Sequence, residues 1–110
     1  MQMAKLERII KDEDFDTILR RIVNGILESS ISATLEESSD FSANGARCSV
    51  RVFERYSYFG NNRVSLSVTL FENGGEIYVS GVTSGGSQAL FFKMNTMGEE
   101  AFLDKLRELV

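Results

Sequence analysis

In residues 63–71, RVSLSVTLF, the apolar side chains Val64, Leu66, Val68 and Leu70 alternate with Arg63, Ser65, Ser67 and Thr69. A period of two puts them all on one face of a β-strand, and such a strand needs a second layer to bury that face. The same alternation runs through CSVRV, with Cys48, Val50 and Val52 on the apolar side. It continues through EIYVSGV, with Ile77, Val79 and Gly81, and it begins in ISATLE, with Ile31, Ala33 and Leu35. Four strands in series are therefore predicted, with apolar positions odd in the outer two and even in the middle two.

On either side of this block the period changes. Residues 12–28, DEDFDTILRRIVNGILE, set Phe15, Ile18, Leu19, Ile22, Val23, Ile26 and Leu27 at spacings of three and four, which is one stripe of an amphipathic helix. Asp12 or Asp14 caps its start, and Ser29 and Ser30 mark its end. In TMGEEAFLDKLRELV, Thr96 followed by Glu99 has the spacing of a capping box, and Phe102, Leu103, Leu106 and Leu109 form a second stripe. The opening KLERIIK fits an edge strand guarded by its charges.

Turns test the strand parity. Asn44-Gly45 and Asn73-Gly74 suit two-residue type I′ hairpins, which join odd positions to even ones. The second would oppose Leu70 to Ile77 and Val68 to Val79. The turn at FGNN must keep even with even, which calls for an odd-length loop at Gly60, Asn61 and Asn62. An unbroken first hairpin would turn Glu37 and Ser39 inward, so a bulge or an overhanging strand end is expected there.

The result is one α+β domain over residues 1–110: a strand, a helix, a four-strand antiparallel meander and a helix, with both helices on one face of the sheet. This order resembles the TATA-binding-protein-like, or helix-grip, architecture, in which the first strand lies beside the last. The run RCSVRVFERYSYFGNNRVSLSVTLF, with TSGGSQALFFKMNTMGEEAFLDKLRELV after it, resembles a small bacterial family filed as a domain of unknown function. The likeness extends over nearly the whole chain and is densest in VRVFERYSY and TSGGSQA. It brings no activity, cofactor or catalytic residue with it.

Composition narrows the chemistry. The 110 residues contain no histidine and one cysteine, Cys48, so imidazole bases, the usual zinc sites and an internal disulfide are absent. Cys48 falls on the apolar side of its strand and reads as a small buried hydrophobe. No apolar run reaches the roughly 18 residues of a membrane span, the N-terminus is too charged for a secretory signal, and a cytoplasmic protein is the expectation. A net charge of −4 argues against nonspecific binding to nucleic acid. No catalytic residue, metal site or cofactor is assigned.

Four groups remain as candidates. TSGGSQA places Gly85, Gly86 and Ser87 in a loop that could hold an anion, but it lacks the lysine of a P-loop, and a simple turn out of the sheet is the plainer reading. Whether residues 89–94 form a strand, a short helix or a loop stays open. By strand parity Arg47, Arg51, Phe53, Arg55, Arg63 and Tyr78 share the polar sheet face, a platform for self-association or a protein partner and less so for nucleic acid. Tyr56 and Tyr58, near a hairpin end, could line a pocket for a small, partly apolar ligand between sheet and helices. Glu36, Glu37 and Asp40 could hold a cation, although such surface clusters are usually only solvated.

Overall fold

A computed structural model describes residues 3–56, 62–85 and 92–110. The chain runs β1 (Met3–Lys11), α1 (Phe15–Glu28), β2 (Thr34–Ala43), β3 (Ala46–Tyr56), β4 (Arg63–Asn73), β5 (Glu76–Gly85) and α2 (Phe92–Arg107). All strands join one antiparallel sheet in the order β1-β5-β4-β3-β2, so the first strand does lie beside the last. The fold is α+β, with both helices over one face.

The helix α1 begins where Asp14 accepts hydrogen bonds from the backbone N–H and the hydroxyl of Thr17, each at 2.9 Å. Its stripe buries Phe15, Ile18, Ile22 and Ile26. From α2 come Phe102, Leu103 and Leu106, and from the sheet Leu6, Val64, Leu66, Val68, Leu70, Ile77 and Val79, all in one core. Gly81 lies under α2, where a Cβ would run into Leu106. This close approach lets the helix settle onto β5.

Two expectations change at the turns. The first hairpin closes on Asn44-Gly45, with φ of 53° and 81°, as the sequence predicts. The second closes instead on Gly74-Gly75, at φ of 64° and 81°, so Asn73 pairs with Glu76, and Leu70 faces Val79 rather than Ile77. Two glycines meet the positive φ of both central positions without any Cβ, which favours them over Asn-Gly. A register shift between Leu35 and Glu37 supplies the expected bulge.

The second change is larger. Tyr56 pairs with Arg63, so the connection between β3 and β4 spans the even number of residues 57–62, and odd positions of β3 stand opposite even positions of β4. Ser49, Phe53 and Arg55 are therefore the buried residues of β3, whereas Cys48, Val50 and Val52 face away from the helices. Ile31, fully exposed, precedes β2 and joins no core. Finally, α2 begins at Phe92, which places Thr96 inside the helix and removes it as a cap.

Candidate functional site

Reversed parity in β3 puts an apolar band on the face that the helices leave open. Following the register across the sheet, Ile9 pairs with Tyr78, Tyr78 with Phe71, Phe71 with Cys48, and Cys48 with Phe41. Directly opposed residues of an antiparallel ladder point to the same side, so these side chains form one row over all five strands. Ile9 is 57% exposed, Phe41 67%, Phe71 38% and Tyr78 39%. The Phe71 and Tyr78 rings are 6.2 Å apart and tilted by 38°. The next row, Glu7, Ser80, Thr69, Val50 and Ser39, is mostly small.

A groove of about 600 Å³ lies along this band, lined by Ile9, Phe71, Tyr78, Thr69 and Ser80 among others. A smaller hollow of about 130 Å³ sits on the other side of Phe71, between Phe41, Ala43, Ala46 and Cys48. Charges border the band. Tyr78 donates its hydroxyl to Glu76 at 2.8 Å and Lys11 lies 3.4 Å from the same carboxylate, and together they hold Glu76 below its ordinary pKa. The same hydrogen bond raises the Tyr78 phenol. At the opposite end, Arg63 pairs with Glu54 and, at 3.6 Å, with Glu36, and its guanidinium lies 5.6 Å from the Tyr56 ring.

The proposed arginine platform divides between the two faces. Arg63 and Tyr78 are on the open face, but Arg47, Arg51, Phe53 and Arg55 belong to the helix side. Phe53 is wholly buried in the core. Arg47 holds Asp16 through two hydrogen bonds of 2.8 and 3.3 Å while stacking 4.2 Å over Phe15, which ties the hairpin to the first turn of α1. This hydrogen bond lowers the Asp16 pKa and raises that of Arg47. Arg51 and Ser49 converge on Asp40 at 3.0 and 2.6 Å, and Ser49 leads in depressing its pKa. Arg55 stacks 4.5 Å from the Phe102 ring centre. These arginines knit hairpin and helices together.

The remaining candidates also separate. Asp40 is engaged on the helix side, Glu36 pairs with Arg63, and Glu37 accepts a hydrogen bond from the Ser38 N–H; among the described residues no group of three metal-binding side chains converges. Gly85 ends β5 and is buried against the carboxylate of Glu99, a poor neighbour for an anion. Its φ is not positive, so it serves close approach rather than an unusual dihedral. Gly86, Ser87 and Tyr58 lie outside the described residues. Tyr56 is half exposed at the end of β3, with Arg63 over its ring on the open face rather than toward the core. The sequence reading missed Cys48 because the apolar positions of β3 were assigned to the core face, and it gave no face to Ile9 on β1 or Phe41 on β2.

Over residues 3–110 the sequence matches a family described as a family of unknown function, DUF6054. The chain belongs to that family. Members of DUF6054 thus share this chain's sequence pattern from β1 to the end of α2. No curated protein matches it. A protein of unknown function from Pseudomonas aeruginosa has a similar fold, with a TM-score of 0.54 at 11% identity, covering 99% of this chain and 82% of its own. A hypothetical protein from Helicobacter pylori gives 0.53 at 12% identity over 96% and 85% of the two chains. A protein from Mesorhizobium loti gives 0.54 at 14% identity over 98% and 96%. Such likeness establishes the α+β fold and leaves function to the site itself.

Proposed function

We propose that this domain works without catalysis, as a cytoplasmic association module that pairs with a second copy of itself through the open face of its sheet. The observation that carries the reading is the apolar row Ile9–Tyr78–Phe71–Cys48–Phe41, which crosses every strand with nothing packed over it among the described residues. Apolar patches of this extent are uncommon on monomers and mark interaction surfaces. Phe71 stands on β4, the central strand, in the middle of the row. A two-fold axis along β4 therefore lays the row upon itself, with Phe71 on Phe71 and Ile9 over Phe41, as a symmetric dimer requires.

Charge supports the same partner. Under that axis β1 of one copy covers β2 of the other, and the row Lys5–Val82–Ser67–Val52–Glu37 meets its own reverse. Lys5 then faces Glu37 twice. With strands about 4.8 Å apart and same-face residues about 6.8 Å apart, the face offers a flat footprint on the order of 650 Å² per copy, near the roughly 800 Å² of a stable interface. A nucleic-acid partner is disfavoured, since Glu7, Glu37, Glu54 and Glu76 share the face with Lys5, Lys11 and Arg63. The cytoplasmic setting is supported by the free thiol of Cys48 and by the lack, among the described residues, of a helix long and apolar enough to cross a membrane.

Sedimentation of the parent and of Phe71→Ser tests the reading. The parent is expected to be a dimer at micromolar concentration and the variant a folded monomer, with a similar melting temperature because Phe71 lies outside the core. A parent that stays monomeric at high concentration, or a variant that still pairs, would overturn it.

A further inference from the structure

On the open face, the row of large side chains is interrupted at one place. Ile9, Tyr78, Phe71 and Phe41 are bulky, whereas Cys48, between Phe71 and Phe41, is small. The hollow of about 130 Å³ lies over it, flanked by Phe41 and Phe71. It runs toward Ala46 and Ala43, which pair with each other two residues further along the same two strands. Its volume is close to the roughly 150 Å³ of an apolar cavity that holds a benzene ring.

Tyr78 is the side chain placed to fill it. Its hydroxyl reaches Glu76, two residues back along β5, at 2.8 Å, so the ring leans toward the end of the sheet where Asn73 pairs with Glu76. Ala46 lies toward that same end of β3, because Cys48 pairs with Phe71 and Arg47 with Glu72. A two-fold axis along β4 keeps each position along the strands and exchanges β5 with β3. It therefore lowers the leaning Tyr78 ring of one copy onto Cys48 and Ala46 of the other, at the hollow. The hydroxyl brings its own acceptor, and Lys11 at 3.4 Å balances the Glu76 carboxylate, so burial leaves neither group unpaired.

An axis across the strands does the opposite: Tyr78 meets Tyr78, Cys48 meets Cys48, and both hollows stay empty, which forfeits close packing. We propose that the Tyr78 ring of each copy seats over Cys48 of its partner, between Phe41 and Phe71, and that this pair of seats selects a second copy as the partner and sets its orientation. The seat presupposes pairing of the open faces and names the contact that decides it. Two sheets packed about 10 Å apart interdigitate their side chains in this way, and aromatic rings in fitted pockets dominate the energy of an interface.

Sedimentation of the full chain, of Cys48→Phe, which fills the hollow, and of Tyr78→Ala, which removes the ring, tests the seat. Neither residue belongs to the core cluster, so both variants should keep a melting temperature near the parent's. Each change alone should weaken the dimer at least about thirtyfold, since it spoils both seats. An equimolar mixture of the two variants should form a heterodimer tighter than either variant's own dimer. One of its seats is native, and at the other the added ring faces the vacated space. Should Cys48→Phe not fold, the dimerisation constant of Tyr78→Ala decides alone. A monomeric parent overturns face pairing and the seat together. A dimeric parent with unchanged pairing in either variant overturns the seat and leaves face pairing standing, as does a mixture that pairs no better than the variants by themselves.

Discussion

Glu99 is 1% exposed on α2, and neither oxygen of its carboxylate has a hydrogen-bond partner among the described residues. Burial drives its pKa up from the ordinary 4.5, Glu100 pushes in the same direction, and the nearby Gly85 amide, short of a full hydrogen bond, offsets part of the rise. The folded state thus prefers the protonated acid. Stability from that proton is full below about pH 4.5 and is lost as pH rises through the elevated folded value. At neutral pH the group is a liability. Glu99→Gln, which keeps the side-chain shape and cannot ionise, is expected to be more stable than the parent at pH 7, and the advantage should shrink toward pH 4.5. Thermal melts of both proteins across that range check this, and a variant less stable than the parent at pH 7 would contradict it. The sequence held a signal: Glu99 precedes Phe102, Leu103 and Leu106 by three, four and seven residues, which puts it in the apolar stripe. Its spacing from Thr96 suggested a cap instead, and only the earlier start of α2 removes that role.

At the scale of elements, periodicity identified the strands and helices but could not choose between registers that preserve parity. The segment Asn73-Gly74-Gly75 allows a turn on either pair, and both join odd to even positions. Backbone strain decides. Gly74 now occupies the position that Asn44 holds in the first hairpin, with φ of 64° against 53°. A β-branched side chain resists this region, whereas asparagine tolerates it. Gly74→Val should therefore cost about 1–3 kcal/mol in chemical unfolding, and Gly74→Asn should be close to neutral. Equal losses in both variants would mean that the turn is not where the register puts it. Strand β3 failed for a different reason. Its alternation was read correctly, but Ser49, Arg51, Phe53 and Arg55 form the helix side, where Asp40 and the Phe102 ring receive three of them and Phe53 alone joins the core cluster. An apolar side need not be the core side when a sheet carries apolar surface on both faces.

The whole molecule carries that second apolar surface, and its symmetry makes a sharper test than removal of an aromatic ring. Two arrangements lay the row through Phe71 upon itself: a two-fold axis along β4, or one running across the strands. Only the first brings β1 over β2 and sets Lys5 against Glu37; the second stacks β1 on β1 and moves Lys5 past the end of its partner's sheet. Both residues are exposed and lie outside the core, so changing them should leave folding nearly untouched. Lys5 is 3.9 Å from Glu7 on its own strand, a weak contact between side chains that are 69% and 68% exposed. Exposed pairs contribute about 0.2–1 kcal/mol, and a dimer contains two, so Lys5→Glu or Glu37→Lys alone should weaken pairing roughly twofold to thirtyfold. The double variant should recover much of that loss, because the charges are exchanged rather than removed. Raising the salt concentration should shrink both effects. Sedimentation of the four proteins at two salt concentrations reads the cycle directly. If neither single change alters the dimerisation constant, the axis along β4 is excluded; if both weaken it and the double variant weakens it further, the two residues act without facing each other.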